Sequence, residues 1–516
     1  MAVLPSARDL IGRAYDAIDA WEGRSGPRPE APALAVEAER LDAALDAFLD
    51  RLTAPPVGDA PGNYPFHHPR YAGQMLKPPH PVALAAYAAA ARINPNNHAL
   101  DGGPPTAAME KEVIGELATM LGFPARALGH LTGGGTVANL EALFVAREET
   151  GGRAIAASAD AHYTHARMAG VLGVPCVSVA TDDAGRIDLD ALRDTLRAGD
   201  VGTVVLTATT TGLGAVDPIA DAVPICREHG ARVHVDAAYG GFFRLLASST
   251  IAPPSPQSSP LPGGEGQGEG ARPSHRAGGP TVDASSTGAP RAGAGPLGAE
   301  VARHLLAIAD ADSVVVDPHK HGLQPYGCGA VLFRDPAVGR HYRHDSPYTY
   351  FTSSDLHLGE ISLECSRPGA AAAALWLTLR ALPLRPDGLG AVLACGLRAA
   401  RDWAARIEAS GALALYTVPE TDIVVYLPDA GSVSRVDAAS QAVFDAGMTD
   451  PDDPVFLSLY RLPSDRLGRR FPQLDVDAPE ARVLRSVLMK PEHEPYVSHL
   501  HDRVEALATH ALSHGR

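Results

Sequence analysis

Paired cysteines, an excess of basic residues and long apolar runs are all missing from this 516-residue chain. Its five cysteines are widely scattered and none belongs to a CxxC pair. Because the number of cysteines is odd, a complete disulfide framework is excluded and a reducing compartment is the simpler interpretation. We therefore expect a cytoplasmic protein.

The charge balance and the hydropathy exclude further classes of protein. Lys and Arg number 44 against 60 Asp and Glu, which gives a formal net charge of −16. That balance argues against nucleic acid or an anionic membrane surface as the main partner. The chain contains no run of about 18 apolar residues, so no transmembrane helix is predicted. The first residues do not resemble a signal peptide. At roughly 150 residues per domain, the length predicts about two to four domains, and an enzyme is the leading class.

Composition divides the chain into three parts and one insertion. Residues 1–95 are helical and then rich in Pro and His, and residues 376–516 predict a small C-terminal α/β domain. Between them, residues 96–375 alternate strand-like and helix-like runs, which predicts a mostly parallel sheet with helices on both faces. Within that domain, 26 of the 48 residues in 251–298 are Pro, Gly or Ser. We predict a disordered insertion there, with a partner-binding segment as the alternative.

The large domain offers clear local signals for individual elements. Asp217 and Pro218 precede a helical pattern that ends near Gly230, so Asp217 is predicted to cap this helix. Short apolar runs predict buried strands at 203–209, 232–238, 313–317 and 330–333.

A glycine-rich turn is the first signal of chemistry. In HLTGGGTVANLEALFVARE (130–148), three glycines followed by Thr136 open a predicted helix. Bare backbone N–H groups at a helix N-terminus suit a phosphate. The pattern is neither GxGxxG nor GxxxxGK[ST], and taken alone it is equally typical of a tight turn between a strand and a helix.

Two charged residues follow buried strands. Asp236, in HVDAAYGG, lies where α/β sheets place functional groups, although an Asp that caps a helix is the alternative. Lys320, in SVVVDPHKHG, directly follows a buried strand, where burial of a charged ammonium group costs free energy. Forming a Schiff base would remove this charge. A surface lysine at a strand end is the alternative. Together, a phosphate cradle, an Asp and a Lys in this order are what pyridoxal 5′-phosphate requires.

Five segments carry a resemblance to a known family: TGGGTVANLEAL, DAHYTHARMAG, TATTTGLGAVDPI, HVDAAYGG and DPHKHG. The chain resembles the group II pyridoxal-phosphate-dependent amino-acid decarboxylases, such as the glutamate, tyrosine and aromatic amino-acid decarboxylases. The resemblance implies an α/β fold, fold type I of the pyridoxal-phosphate-dependent transferases, and a homodimer. It also implies decarboxylation of an L-amino acid, aromatic or acidic, to an amine and CO₂.

The resemblance also assigns roles to residues of this chain. Lys320 would hold the cofactor aldehyde, Asp236 would pair with the pyridine nitrogen, and Ala238 would pack on the ring. His162 would stack on the other ring face and position the substrate carboxylate or relay a proton. The other cofactor-binding residues would be Gly134, Gly135 and Thr136 at the phosphate, Thr211 at the hydroxyl edge, and His319 beside the lysine.

Other positions have a less definite assignment. Tyr348 and Tyr350 are the candidates for a general acid on a loop, or else two packing tyrosines. Arg367 could bind a substrate carboxylate or stabilise the domain junction. In the glycine turn, Gly133 and Val137 replace the Ser and Glu that are common in the family, which puts the side-chain contacts of that turn in doubt.

Competing readings of the sequence remain open. The histidine pairs His162 and His165, and His319 and His321, lack a third ligand, so we predict no metal site.

Another fold type I enzyme is an alternative, namely an aminotransferase, a carbon–carbon lyase or an aldehyde-forming relative. A non-catalytic, decarboxylase-like regulator is the other alternative.

Overall fold

The computed structural model describes residues 4–27, 29–55, 62–250, 297–342 and 357–514. These residues form a large domain around a seven-stranded sheet and a small domain around a four-stranded sheet. The strands are β1 (Leu128–Thr132), β2 (Ala154–Ser158), β3 (Cys176–Val179), β4 (Val201–Thr207), β5 (Arg232–Asp236), β6 (Ser313–Val316), β7 (Gly329–Phe333), β8 (Leu413–Leu415), β9 (Ile423–Pro428), β10 (Ser458–Pro463) and β11 (Glu480–Val487).

Many of the α-helices of the described residues connect these strands or pack on the two sheets. The helices are α1 (Ala7–Gly23), α2 (Ala38–Thr53), α3 (Pro81–Ile93), α4 (Pro104–Leu121), α5 (Gly135–Thr150), α6 (Thr164–Leu172), α7 (Leu189–Arg197), α8 (Ile219–Glu228), α9 (Arg244–Thr250), α10 (Ala299–Leu306), α11 (Gly369–Ala381), α12 (Leu389–Ala409), α13 (Val433–Thr449), α14 (Ser464–Arg470) and α15 (His493–His514). None of them is long and apolar enough to cross a membrane.

The large sheet is mostly parallel, which confirms the predicted architecture. Its strand order is β1-β7-β6-β5-β4-β2-β3. Pairing is parallel from β3 through β2, β4 and β5 to β6, and only β7 runs in the opposite direction. The four predicted strands form as β4, β5, β6 and β7, each within two residues of its predicted ends.

Alternate residues of the strands pack against helices on opposite faces of this sheet. Val314 and Val316 of β6 belong to the cluster that contains Leu117 of α4, whereas Val315 packs in the cluster that contains Ala142 of α5. Because successive side chains of a strand point to opposite faces, both faces are covered. This arrangement explains why the strands read as nearly continuous apolar runs.

The small domain has an antiparallel sheet with the order β10-β11-β9-β8. Helices α12 and α15 pack on it, with the fully buried Trp403 of α12 against Tyr426 of β9. The predicted alternation of strand and helix is therefore present, and the sheet that it forms is antiparallel.

The structure differs from the predictions made from the sequence in two details. The prediction that Asp217 caps its helix is wrong: α8 starts at Ile219, and the Asp217 carboxylate accepts backbone N–H bonds of 2.7 Å from Ile187 and Thr207. The predicted insertion lies outside the described residues except for its last two positions. There, Leu297 is only 3% exposed and belongs to the core, so the folded chain resumes before the predicted end of the insertion.

Candidate active site

A pocket of about 370 Å³ lies at the carboxyl ends of β4, β5 and β6 and beside the N-terminus of α5. Parallel strands that end at one edge of a sheet bring functional residues together from distant parts of a chain. The pocket brings together all nine predicted cofactor-binding residues: Gly134, Gly135, Thr136, His162, Thr211, Asp236, Ala238, His319 and Lys320.

The predicted glycine turn forms the N-terminal end of α5. Gly134 has a φ of +139°, a conformation that residues with a side chain rarely adopt. A Cβ atom at Gly135 would lie 2.6 Å from the Asp317 carboxylate, so this position has no room for a side chain. The first N–H groups of α5 have no acceptor within the helix. The turn thus provides the backbone donors and the partial positive charge that suit a phosphate.

Asp236 ends β5 as a buried, ionised carboxylate. Its Oδ2 accepts a hydrogen bond of 3.0 Å from His165 Nε2, and its Oδ1 accepts one of 3.1 Å from the Ala238 N–H. Burial alone would raise the pKa of Asp236, but His165 and the charge of Lys320 hold this pKa well below its usual range. The alternative of a helix-capping Asp does not describe these contacts.

Two further residues position Asp236, and the sequence interpretation missed their role. His165 is buried on α6, and Asn139 Nδ2 donates to Asp236 Oδ2 at 3.4 Å from the second turn of α5. Asn139 Oδ1 in turn accepts a hydrogen bond of 2.8 Å from His234 Nε2. The available signal was the second histidine of DAHYTH, which was weighed only as a zinc ligand.

Lys320 follows β6 and faces a second buried carboxylate. Its Nζ lies 3.2 Å from Asp317 Oδ2, and its side chain is 22% exposed, which leaves it accessible from the pocket. Asp317 is 1% exposed, and burial raises its pKa although Lys320 and His319 act in the opposite direction. Asp317 belongs to the quoted DPHKHG segment but had no predicted role.

His162 lines the pocket as a neutral imidazole. Burial lowers its pKa, and although the Asp236 charge raises this pKa, Lys320 and His165 lower it further. Its Nδ1 accepts a hydrogen bond of 3.3 Å from the Thr164 N–H, which places the ring proton on Nε2.

Unpaired polar atoms test whether the pocket fits pyridoxal 5′-phosphate. Among the described residues, Asp317 Oδ1 and the hydroxyls of Thr164, Thr207 and Thr209 are buried, lack a hydrogen-bond partner and belong to residues that line the pocket. Buried polar groups are nearly always paired, so such a cluster is typical of a site for a polar ligand. With the glycine turn, a strand-end Asp and an accessible Lys, these atoms fit the predicted cofactor.

Arg367 lies outside this pocket. Its Nη1 is 2.7 Å from Glu110 Oε1 and also donates to the Leu131 carbonyl, and the Arg367 side chain is only 5% exposed. Of the two roles left open by the sequence, this geometry favours the structural one. Tyr348 and Tyr350 lie outside the described residues.

Comparison with known protein families gives one match over most of the chain. The model of the pyridoxal-dependent decarboxylase conserved domain matches residues 60–250 and 282–427.

Curated relatives are similar over much of their length. A probable L-tyrosine/L-aspartate decarboxylase of Methanopyrus kandleri is 29% identical over 368 residues, which cover 70% of this chain and 84% of the relative. An L-tyrosine decarboxylase of Enterococcus faecium is 27% identical, with 83% of this chain and 77% of the relative covered.

Among solved structures, mouse CSAD superposes with a TM-score of 0.68 at 21% identity, covering 92% of each chain. At that identity the likeness concerns the fold alone.

Proposed function

The chain belongs to the pyridoxal-dependent decarboxylase family and is a pyridoxal-5′-phosphate-dependent amino-acid decarboxylase, and we propose that its substrate is an L-amino acid with an aromatic or an acidic side chain. The names of the relatives, which are decarboxylases of tyrosine and aspartate, support both classes of side chain. The structural observation that supports a pyridoxal-phosphate-dependent reaction is the convergence of Asp236, Lys320 and the glycine turn in one pocket.

Different residues of the protein would bind different groups of the cofactor. The N–H groups of Gly135 and Thr136 would bind its phosphate, and the Lys320 amine would bind its aldehyde. The Asp236 carboxylate, kept ionised by His165, would hold a proton on the ring nitrogen. When bound, pyridoxal 5′-phosphate withdraws electrons from the bonds to the α-carbon of the substrate.

The protein also selects which bond reacts, by orienting the substrate. His162 Nε2 carries a proton and lies in the pocket, so it would donate a hydrogen bond to the α-carboxylate and fix its orientation. Part of the pocket wall is poorly solvated, because Asp236, Ala238 and Asp317 are almost completely buried. A carboxylate is destabilised in such surroundings, whereas neutral CO₂ is not. Tyr348 and Tyr350 remain the candidates for the acid that returns a proton to carbon.

We further propose that the protein is a cytoplasmic homodimer. All five cysteines are free thiols, which supports a reducing compartment. Every residue of α2 is exposed, and this helix carries an apolar stripe. The stripe, called the α2 stripe below, consists of Leu41, Leu45, Phe48, Leu49 and Leu52. An amphipathic helix needs a surface for such a face, and a second copy of the chain would provide it.

An amine-product assay tests the proposed reaction. Purified protein with pyridoxal 5′-phosphate is incubated with each common amino acid, and amine and CO₂ are measured together. We expect equal amounts of both from an aromatic or an acidic amino acid. Keto-acid formation without CO₂ would contradict the proposal, as would amine formation from neither class.

Reductive trapping tests the proposed role of Lys320. Borohydride treatment followed by peptide mass spectrometry should find the cofactor attached to Lys320. Lys320→Ala should lose the trapped product and turnover while the protein keeps its fold by circular dichroism. Trapping at another lysine, or activity in the variant, would remove Lys320 from its role.

A further inference from the structure

A buried carboxylate beside the pocket accepts four hydrogen bonds from distant parts of the chain. Asp160 follows β2, two positions before His162, and its side chain is 9% exposed. Its Oδ1 accepts hydrogen bonds of 3.2 Å from Arg466 Nη1 and 3.0 Å from the Tyr460 hydroxyl. Its Oδ2 accepts bonds of 2.6 Å from Arg466 Nη2 and 2.5 Å from the Thr181 hydroxyl. This cluster, called the Asp160 clamp below, consists of Asp160, Thr181, Tyr460 and Arg466.

The contacts of the Asp160 clamp keep its carboxylate ionised and fixed in place. Burial alone would raise the pKa of Asp160, but the hydrogen bonds from Arg466 and Thr181 hold this pKa below its usual value. Burial and the Asp160 charge raise the pKa of Tyr460, so its phenol keeps the proton that it donates. A bidentate pair of arginine and carboxylate is strong and geometrically specific. Four donors therefore define the position of Asp160.

The Asp160 clamp joins the two domains at a loop of the pocket. Tyr460 lies in β10 and Arg466 in α14, and both elements belong to the small domain. Asp160 belongs to the large domain, in the loop between β2 and α6. The same loop supplies His162 to the pocket. The small domain thus contacts the segment that carries His162.

The small domain also contacts a second loop of the pocket. Gly212 directly follows Thr211, which lines the pocket. A Cβ atom at Gly212 would lie 2.5 Å from Cζ of Tyr460, so the tyrosine ring fits only because this residue is glycine. The Gly212 carbonyl accepts a hydrogen bond of 3.2 Å from Arg485 Nε of β11. Tyr460 therefore touches both loops, with its hydroxyl at Asp160 and its ring at Gly212.

We propose that Asp160 and Arg466 are positioning residues that hold His162 in the pocket. One residue, Ala161, separates Asp160 from His162, so a shift of the carboxylate would move the imidazole. The Thr164 N–H orients the His162 ring within the loop, whereas the Asp160 clamp places that loop against the small domain. The proposed function, on which this inference rests, places the cofactor and the α-carboxylate of the substrate beside His162. Small errors in the position of such a residue weaken binding and slow the reaction.

Titration of apo-protein with pyridoxal 5′-phosphate tests this role. Arg466→Met should weaken binding by about tenfold, which is within the range for residues that act through another residue. Arg469→Met is the matched control, because Arg469 also lies on α14 and contacts the large domain, at Asp183 Oδ1 over 2.8 Å. This variant should stay within about twofold of the wild type. Equal binding by Arg466→Met and wild type, or equal weakening by Arg469→Met, would overturn the assignment.

The His162→Ala background separates positioning from a general loss of structure. His162→Ala should itself weaken cofactor binding, and adding Arg466→Met should then cause no further loss, because the residue through which it acts is gone. A further tenfold loss in this background, or unchanged binding in His162→Ala, would overturn the assignment. Failure of wild type to bind the cofactor would instead contradict the proposed function.

A charge-free double variant keeps the test valid if Arg466→Met is unstable. Asp160→Asn with Arg466→Met leaves no buried charge unpaired, so its apo form should melt at a higher temperature than Arg466→Met alone. It should still bind the cofactor about tenfold more weakly than wild type, because the bidentate contact is absent. Recovery of wild-type affinity together with stability would show that the Asp160 clamp only stabilises the fold, and would overturn the assignment.

Discussion

At the scale of single residues, the site depends on a carboxylate that stays ionised in a place that disfavours charge. Asp236 is 6% exposed, and burial acts to raise its pKa. His165 opposes this effect with a hydrogen bond of 3.0 Å. A charge that is fixed in a dry pocket interacts more strongly than one in water, which is why such groups dominate many active sites.

Asp236→Asn removes the charge and keeps the shape of the side chain. We expect kcat to fall by about 10² or more, because a preorganised electrostatic partner is lost. His165→Gln should lower kcat less, since the carboxylate remains while its position is less well defined. Steady-state kinetics at saturating cofactor would measure both. Wild-type kcat in Asp236→Asn would contradict the role of this residue.

At the scale of secondary-structure elements, a buried ion pair ties the segment before α11 to α4 and β1. Arg367 contacts Glu110 of α4, whose Oε1 also accepts the Leu131 N–H of β1 at 2.9 Å. Removing one partner of a buried pair leaves an uncompensated charge, which is more costly than removing both charges.

Arg367→Met should therefore lower the free energy of unfolding by about 3–5 kcal/mol. The double variant with Glu110→Gln should lose less than Arg367→Met alone, because no buried charge is left unpaired. Urea denaturation measures both losses. A raised KM with unchanged stability would instead support the substrate-binding role of Arg367.

Helix α2 provides a second prediction at this scale. Leu45→Glu with Phe48→Glu places two charges in the α2 stripe and should convert the proposed dimer to a monomer. Asp50→Lys lies on the opposite face of α2 and should leave the dimer intact. Light scattering after gel filtration measures the mass. A dimeric double variant, or a monomeric wild type, would contradict the proposed interface.

At the scale of the whole molecule, buried neutral histidines make stability depend on pH. Burial lowers the pKa of His234 to about 3, and both of its ring nitrogens are hydrogen bonded, to Ser313 and Asn139. The ordinary histidine pKa is about 6.5, so the unfolded chain binds this proton first. The contribution of neutral His234 to the free energy of unfolding is therefore complete above about pH 6.5 and is lost as the pH falls toward 3.

This single histidine should cost about 2 kcal/mol of stability between pH 7.5 and 5. Other buried histidines, such as His493 with a pKa of about 3, add to the slope. Urea denaturation at several pH values measures it, and His234→Gln should reduce the slope by about one proton. An unchanged slope in that variant would contradict the buried, neutral state of His234.

Local pattern and chain order were enough to predict the elements and the cofactor. Apolar runs predicted β4 to β7, and the order of a glycine turn, Asp236 and Lys320 predicted pyridoxal 5′-phosphate, because these features are short segments of the chain. The predicted helix cap at Asp217 was wrong because a local pattern does not show contacts with other segments of the chain. The hydrogen-bond partners of the Asp217 carboxylate are Ile187 and Thr207, which lie in other segments.

Only the tertiary structure decided which side chains control one another. His165 reaches Asp236 across 71 positions of the chain, and Arg367 reaches Glu110 across 257. Such contacts depend on how helices and strands pack, and packing brings together residues whose spacing in the sequence carries no signal. The sequence by itself thus determined the chemistry of the cofactor, whereas packing decided how the protein orients and charges the groups around it.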